Sequence, residues 1–242
     1  MPISFERGYT SKNRLRVDWL HPVPPERDRK TTSASGRLPV QEALDLLWAE
    51  DDGRPLLVLR ECTNCKGSDG ALLSRSLAND KTVLMTKWFR TVRLPAHITD
   101  HSHPFHNVFA DLPFKKRWPH VFLLADRDSK PVDFTGLQTQ SKLWQGMFRV
   151  LNARYAKNPK KAIRNWLRVL DRFDVIDART VMLKAELLQE RATNGPTTKR
   201  AKKMEAQLAE LDAQRKQALA EEAKVRDLAL LKLPSRVAAG GK

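Results

Sequence analysis

The pattern of apolar and polar positions changes several times along the chain, and each change marks a predicted element. Residues 39–50 carry apolar side chains at helical spacing, and Asp51-Asp52-Gly53 ends that helix. Residues 55–59 are continuously apolar, which predicts a strand buried on both faces because the run does not alternate. Residues 62–79 then follow as a second predicted helix.

The pattern continues with a second strand and a hairpin. Residues 82–85 begin the predicted second strand, whereas prolines in residues 94–117 argue against long regular elements there. Two apolar runs, residues 120–125 and 131–134, flank a polar turn and predict a hairpin. An amphipathic helix is predicted over residues 138–156. Strands separated by helices predict a partly parallel sheet with helices packed on it, and the hairpin adds an antiparallel edge.

From residue 158 onward the chain has helical periodicity with a high charge content. Residues 194–197 break the run, and a charged helix is predicted over residues 198–232. Its apolar stripe is incomplete, because Arg215 and Glu222 occupy core-like heptad positions. The pattern predicts an antiparallel helical hairpin or a weak coiled coil, whose expected use is docking or self-association.

The only two cysteines of the 242-residue chain are three positions apart, in Cys62-Thr63-Asn64-Cys65 directly after the predicted buried strand. Residues i and i+3 of a helix have Cβ atoms about 5–6 Å apart, and a disulfide needs about 3.8 Å. A small adjustment of the first helical turn closes that gap. The partly positive helix N-terminus favours thiolate at the first cysteine. This arrangement is typical of thiol–disulfide exchange.

These features in this order resemble the thioredoxin-like family over roughly residues 38–153. The resemblance combines Cys62-Thr63-Asn64-Cys65 after a strand, the preceding segment 41–59, Trp118-Pro119 before the third strand, and the closing hairpin and helix within residues 121–143. It implies an α/β fold with a thioredoxin-like mixed sheet flanked by helices, to which the chain adds a C-terminal α-helical hairpin or coiled-coil extension. It implies thiol–disulfide oxidoreductase activity without a cofactor.

The resemblance also implies a role for three residues. Cys62 would be the exposed attacking thiolate and Cys65 the buried resolving thiol, and Pro119 would be a cis-proline that holds substrate against Cys62. The chain departs from the family at Glu61, where a tryptophan is usual. The family's buried acid in the preceding strand has no counterpart, because Leu57-Val58-Leu59 is apolar. Both departures are compatible with a slow, specialised or degenerate exchanger.

A histidine cluster, residues 97–106, adds an alternative. Imidazole and thiolate suit copper and zinc, so a metal-binding protein is a second interpretation. The candidate ligands are Cys62, Cys65, His101 and His103. A structural zinc site, however, needs about four ligands, and a second Cys-x-x-Cys is absent from the sequence. Histidines in proline-broken loops also occur without binding a metal, and this structural or solvent role is the favoured interpretation.

The formal net charge of +16 is unevenly distributed. Residues 1–38 carry about +4, residues 39–150 about +2 and residues 151–242 about +10. The thiol chemistry is therefore expected to be separate from the basic segments. The Lys and Arg cluster at 199–203 has no interleaved aromatics, which disfavours nucleic acid as a partner.

Composition and pattern together predict four segments and a location. The segments are a flexible basic N-terminus (1–37), a thioredoxin-like domain (38–156), a basic helical extension (157–233) and a disordered tail (234–242). No signal-peptide or membrane-spanning stretch is recognised, so a cytoplasmic protein is expected. The expected partners are a protein disulfide or dithiol and, through residues 157–233, an acidic protein or a second copy of the chain. A thioredoxin-fold scaffold without catalysis, acting through the helical arm, is the remaining alternative.

Overall fold

The computed structural model contains a four-stranded sheet, helices that cover its two faces, and a long helical hairpin. It describes residues 11–22, 37–48, 52–62, 70–73, 79–115 and 118–232. The strands are β1 (Leu56–Arg60), β2 (Arg90–Leu94), β3 (Val121–Leu124) and β4 (Val132–Phe134). The helices, in chain order from α1 to α7, are Val40–Leu47, Gly70–Leu73, Asp80–Thr86, His106–Asp111, Gln140–Arg154, Pro159–Asn194 and Lys199–Arg226.

The sheet has the strand order β2-β1-β3-β4, which puts β1 in its interior. β1 pairs in parallel with β2, in the register Val58 to Val92, and antiparallel with β3, in the register Val58 to Phe122. β3 and β4 form the antiparallel hairpin. All five residues of β1 are buried, as expected for an apolar run with strands on both sides and helices on both faces. The fold is mixed α/β, as the sequence indicates.

One face of the sheet packs on α1 and α4. Alternate positions of β1 and β3, among them Leu56, Val58 and Phe122, lie in one core cluster with residues of these two helices. The helix residues of that cluster are Ala43, Leu44 and Leu47 from α1, and Val108 and Phe109 from α4. The ring of Phe109 meets that of Phe122 edge-on at 5.7 Å, a favoured aromatic geometry.

The opposite face of the sheet is covered by α5, against which α2 and α3 also pack. The Trp144 indole N–H of α5 donates to Thr82 Oγ1 of α3 over 2.8 Å. At Gly146, α5 comes so close to β4 that an added Cβ would lie 2.4 Å from Cζ of Phe134 and 3.2 Å from Cγ1 of Val132. The absence of a side chain at Gly146 therefore sets the distance between helix and sheet.

Two chain segments outside the central region also join this α/β unit, which comprises the described residues between 16 and 159 and residues 229–232. Leu20 donates to Thr91 O and accepts from Arg93 N, both over 2.9 Å, and so adds a bridge to the outer edge of β2. Near the C-terminus, Leu230 forms an antiparallel bridge with Tyr155. Residues on both sides of the predicted domain (38–156) thus contribute backbone hydrogen bonds to the α/β unit.

The second compact unit is the helical hairpin, Lys160–Leu228, together with the described N-terminal residues Ser11–Leu15. α6 and α7 are antiparallel, because Trp166 contacts Glu222 near one end and Arg191 contacts Glu205 near the other. Thr198 caps α7 by accepting from Ala201 N over 3.0 Å. The helical hairpin is confirmed, and the break at residues 194–197 lies at its turn.

The two core-like polar residues of α7 have partners on α6. Arg215 is paired with Asp177, and Glu222 accepts from the Trp166 indole N–H over 3.0 Å. The short Ser11–Arg14 helical turn also packs on α6, where Ser11 Oγ donates to Leu170 O over 2.9 Å. Arg215 and Glu222 are both half-buried and hydrogen-bonded, so they interrupt the apolar stripe without opening the hairpin.

Most of the elements predicted from the sequence are confirmed, with two exceptions. The predicted strand over residues 82–85 is wrong: these residues lie in α3, and the second strand begins at Arg90. Thr82 and Met85 are buried on one side of a helix that packs on α5, so tertiary packing overrides the strand preference of Thr and Val. α4, within the segment predicted to be irregular, was missed because prolines bracket its six residues.

Some predictions concern residues outside the described part of the chain. Of the predicted helix over 62–79, the described residues 70–73 are helical and Asn79 directly precedes α3. Cys65, residues 23–36 and the predicted tail, 234–242, lie outside the described residues. The predicted division of the chain into four segments stays a prediction.

Gly146→Ala should destabilise the α/β unit by about 1–3 kcal/mol, since the methyl group would overlap Phe134. At an unconstrained helix position, replacing Gly by Ala would instead stabilise the protein by about 1 kcal/mol. A loss of stability would therefore show that α5 and β4 are in close contact at Gly146. Urea unfolding followed by circular dichroism measures it. Gln145→Ala, at an exposed neighbouring position, should stay within about 0.5 kcal/mol of wild type. A stabilised Gly146→Ala variant would contradict the packing.

Candidate redox site

Cys62 lies two residues beyond β1, at the carboxyl end of the interior strand. The backbone there is held on both sides: Glu61 N donates to Leu94 O, and Arg60 N donates to His120 O, both over 2.8 Å. Cys62 is partly exposed and disulfide-bonded. The only other cysteine of the sequence is Cys65, which lies outside the described residues. The sheet therefore fixes the position of one sulfur at the rim of the fold.

Glu61, the residue before the cysteine, forms an ion pair. Its Oε1 lies 2.5 Å from Nε of Arg93, which is on the neighbouring strand β2. The two side chains are 41% and 36% exposed, so solvent screens the interaction. The pairing still places a positive charge next to the Glu61 carboxylate, and so would reduce its repulsion of any thiolate formed at Cys62.

Arg60 is a site residue that the sequence did not indicate. It is the last residue of β1 and only 8% exposed. Its guanidinium donates to the carbonyl oxygens of Trp118 and Pro119 over 3.3 and 3.2 Å, and to Glu61 O over 3.4 Å. Burial lowers the pKa of Arg60 from its usual value. The only sequence signal was a charged residue directly after an apolar run, which is equally common at the exposed end of a strand.

The cis-proline expected at Pro119 is wrong, because no peptide bond among the described residues is cis. Pro119 does lie at the start of β3, next to the end of β1, and it is buried. The Arg60 guanidinium holds the carbonyls on both sides of its nitrogen, and this geometry is made with the trans bond that X–Pro sequences favour by about 0.5–1 kcal/mol. Pro119 is thus near the cysteine segment but lacks the expected geometry.

The histidine cluster folds around the turns that precede α4. The rings of His97 and His103 are 5.1 Å apart, and those of His101 and His106 are 4.6 Å apart. His103 is 1% exposed, and its Nδ1 accepts from Phe105 N over 3.1 Å. Arg37 approaches His101 Nδ1 to 2.7 Å. These contacts give the histidines packing and turn-forming roles.

His106 connects the cluster to the segment that contains Pro119. Its ring lies 5.3 Å from that of Trp118, edge-on, and the residue is 1% exposed. Burial lowers the pKa of His106, and the positive charge of Arg37 and the neighbouring His101 lower it further. Backbone carbonyls at Thr99 and Asp100 act in the opposite direction but do not outweigh burial.

The candidate metal ligands are not assembled into a site among the described residues. No group of three or more His, Cys, Asp or Glu side chains in that part of the chain could hold a metal ion. His103 uses Nδ1 within its own turn, and His101 faces Arg37. Of the candidate ligands, Cys65 lies outside the described ranges.

Comparisons with known proteins leave the family open. No protein-family model, curated protein or solved structure matches the chain. Among the helices described, none combines the length and the apolar composition that crossing a lipid bilayer requires.

Stability should fall as the pH drops below about 6.5, and His106 should account for part of the slope. Because its folded pKa is lowered, the unfolded chain binds the proton more tightly, and protonation favours unfolding. Melting temperatures between pH 7.5 and 5 measure this slope, which His106→Gln should reduce whatever its effect on stability at pH 7.5. His21→Gln, at an exposed position, is the control. An unchanged slope in His106→Gln would refute the assignment.

Proposed function

We propose that the protein is a thioredoxin-like thiol–disulfide oxidoreductase that acts through Cys62 and Cys65. The observation that carries the proposal is the disulfide-bonded, partly exposed Cys62 at the carboxyl end of the interior strand. A sulfur at the rim of a rigid sheet is accessible to another protein while its own position stays fixed.

The sheet supports the family part of the proposal. The parallel pair β1–β2, the antiparallel hairpin β3–β4 and the closing helix α5 follow one another in the order on which the resemblance to the thioredoxin-like family rests. Trp118 and Pro119 precede β3 next to the end of β1, as in the resemblance, although the bond between them is trans. The buried acid that the family carries in the strand before the cysteines has no counterpart here, since β1 is apolar up to Arg60.

The proposed reaction is a two-step exchange. In the reduced protein the Cys62 thiolate attacks one sulfur of a substrate disulfide, and the other substrate sulfur leaves as a thiolate. The Cys65 thiolate then attacks Cys62 Sγ in the mixed disulfide and releases the second substrate sulfur. The two electrons gained by the substrate come from the cysteine pair, which ends as a disulfide. The reverse sequence oxidises a dithiol, and the reduction potential decides the direction.

Two cations near Cys62 support its activation. The Arg93 side chain neutralises Glu61, and the buried Arg60 guanidinium lies among carbonyl oxygens at the end of the same strand. Positive charge near a cysteine favours its thiolate, which is the nucleophile. The electrostatic effect that a lone Glu61 would have is therefore reduced by the tertiary fold.

The direct test is reduction of insulin or a small disulfide by wild-type protein and by Cys62→Ser. We expect the variant to fall to the uncatalysed background, while Cys65→Ser retains the first step and accumulates a mixed disulfide that mass spectrometry detects. A matched far-ultraviolet circular dichroism spectrum controls for folding. A wild-type rate no faster than that of Cys62→Ser would refute catalysis. The reduction potential of the wild-type couple then distinguishes a reductant from an oxidant.

The Glu61–Arg93 pair should change the rate of disulfide reduction moderately, without being required for the reaction. Arg93→Gln should slow disulfide reduction at pH 7 by about two- to fivefold, because an exposed pair contributes about 0.2–1 kcal/mol. The double variant Glu61→Gln/Arg93→Gln should recover most of the loss, since no unpaired carboxylate remains. The pH dependence of Cys62 alkylation by iodoacetamide reports the same change. Equal rates in the single and double variants would contradict the role of Glu61.

A further inference from the structure

A face of α6 carries exposed apolar side chains at heptad spacing. Five residues follow one another at intervals of three and four positions and form what we name the outer stripe: Ala178, Val181, Ala185, Leu188 and Ala192. Val181 and Leu188 are 69% and 72% exposed. Val175 and Met182 lie beside the stripe and are 59% and 62% exposed. These are large exposed fractions for apolar side chains on one helix.

The outer stripe is distinct from the seam between the two helices. Buried residues of α6, such as Phe173, Ile176 and Leu187, belong to the inner side of the hairpin, where α7 packs. At 100° per residue, the stripe lies roughly a third of a turn from that inner side. It extends over about 21 Å, or some two heptads, from Ala178 to Ala192. That length matches the contact made by a single docked helix.

The acidic and basic residues near the outer stripe differ in how many of them form ion pairs within the second compact unit. Several acidic residues of the hairpin are paired within this unit, as in Asp171 with Lys12 at 2.5 Å and Glu221 with Arg172 at 3.0 Å. Four exposed cations of α6 form no ion pair with any described residue: Arg164, Arg168, Arg179 and Lys184. Glu186, which is also exposed on α6, likewise forms no ion pair with any described residue.

We propose that the outer stripe binds an acidic amphipathic helix of a partner protein. Apolar side chains of that helix would cover Val181, Met182 and Leu188, as in other helix-in-groove interfaces. Its carboxylates would meet Arg179, beyond Met182, on one flank and Lys184 on the other. The apolar stripe supplies the buried area, and the unpaired cations supply orientation and selectivity. This interaction is independent of the thiol chemistry proposed above.

A second copy of the chain fits the stripe less well. In an antiparallel pair of heptad seams, a positions pack against d positions, which puts Ala178 opposite Leu188 and Val181 opposite Ala185. The two-fold axis then passes near residue 183, so Lys184 of each copy lies against Lys184 of the other. Like charges at that distance disfavour association. An acidic helix replaces this repulsion with attraction.

The test uses the full-length protein and two synthetic 21-residue amphipathic peptides. Both carry Leu at a and d positions; one carries Glu at e and g positions and the other carries Lys. Fluorescence anisotropy measures their Kd at low and high salt. We expect the acidic peptide to bind at least about tenfold more tightly than the basic one, with an affinity that falls as salt rises.

Three variants locate the binding surface. Leu188→Asp, at an exposed position, should raise the Kd of the acidic peptide about tenfold or more, because it removes apolar contact and adds repulsion. Arg179→Glu should raise it about three- to tenfold and weaken its salt dependence. Lys202→Glu, with the same charge change at an exposed site on the far side of α7, should leave it within about twofold. Circular dichroism controls for the hairpin fold.

Four outcomes would overturn the proposal. The first is equal binding of the two peptides, and the second is binding that Leu188→Asp does not weaken. In the third, light scattering detects a dimer of the wild-type protein that Leu188→Asp abolishes, which identifies a second copy as the occupant. In the fourth, neither peptide binds but vesicles of mixed phosphatidylserine and phosphatidylcholine do so in a Leu188-dependent way, which identifies an anionic membrane surface.

Discussion

The burial of β1 on both faces and along both edges is the constraint on which the α/β unit depends. Each residue from Leu56 to Arg60 is buried, and each has a partner on β2. The strand cannot shift by one residue without exchanging the side chains that face α1 for those that face α5. Its carboxyl end, and with it Cys62, is consequently fixed by the core. If Cys62 exchanges disulfides as proposed, a sulfur at such a position needs little additional ordering when a partner approaches.

The same constraint determines which polar groups surround the cysteine. Because β2 runs parallel to β1, Arg93 is carried to the end of the sheet at which Glu61 lies, and the two side chains meet. Because β3 runs antiparallel to β1, the carbonyls of Trp118 and Pro119 reach the Arg60 guanidinium. Residues about 30 and 60 positions apart in the sequence thus form one site. No local pattern contains this information, since it depends on strand order and register.

The helical hairpin illustrates a second use of polar residues. Arg215 and Glu222 interrupt the apolar seam of α7, yet each has a partner on α6, Asp177 and Trp166 respectively. The Arg215–Asp177 pair adds little net stability, because both side chains are about a third exposed and solvent screens their attraction. Both contacts do fix which residues of the two helices face one another. The hairpin therefore leaves its remaining cations and the outer stripe of α6 directed away from its own core, where they are accessible to other molecules.

Periodicity alone determined the elements whose sequence signal was strong. The apolar run of β1, the β3–β4 hairpin and the helices α1, α5, α6 and α7 all follow from local spacing, because burial on one or two faces leaves a repeat of 2 or 3.6 residues. The sequence also showed that both cysteines closely follow β1, because this depends only on their positions in the chain.

Other features were decided by tertiary structure. Residues 82–85 are helical because they pack against α5, whose Trp144 donates a hydrogen bond to Thr82. The Trp118–Pro119 peptide bond is trans, and the carbonyls next to it accept hydrogen bonds from Arg60. The ion pair at Glu61 and the exposure of the α6 stripe depend likewise on which surfaces the rest of the chain covers. The sequence by itself determined how each segment divides into apolar and polar faces. Only the fold decided which faces meet, because the free energy of a contact depends on both of its sides.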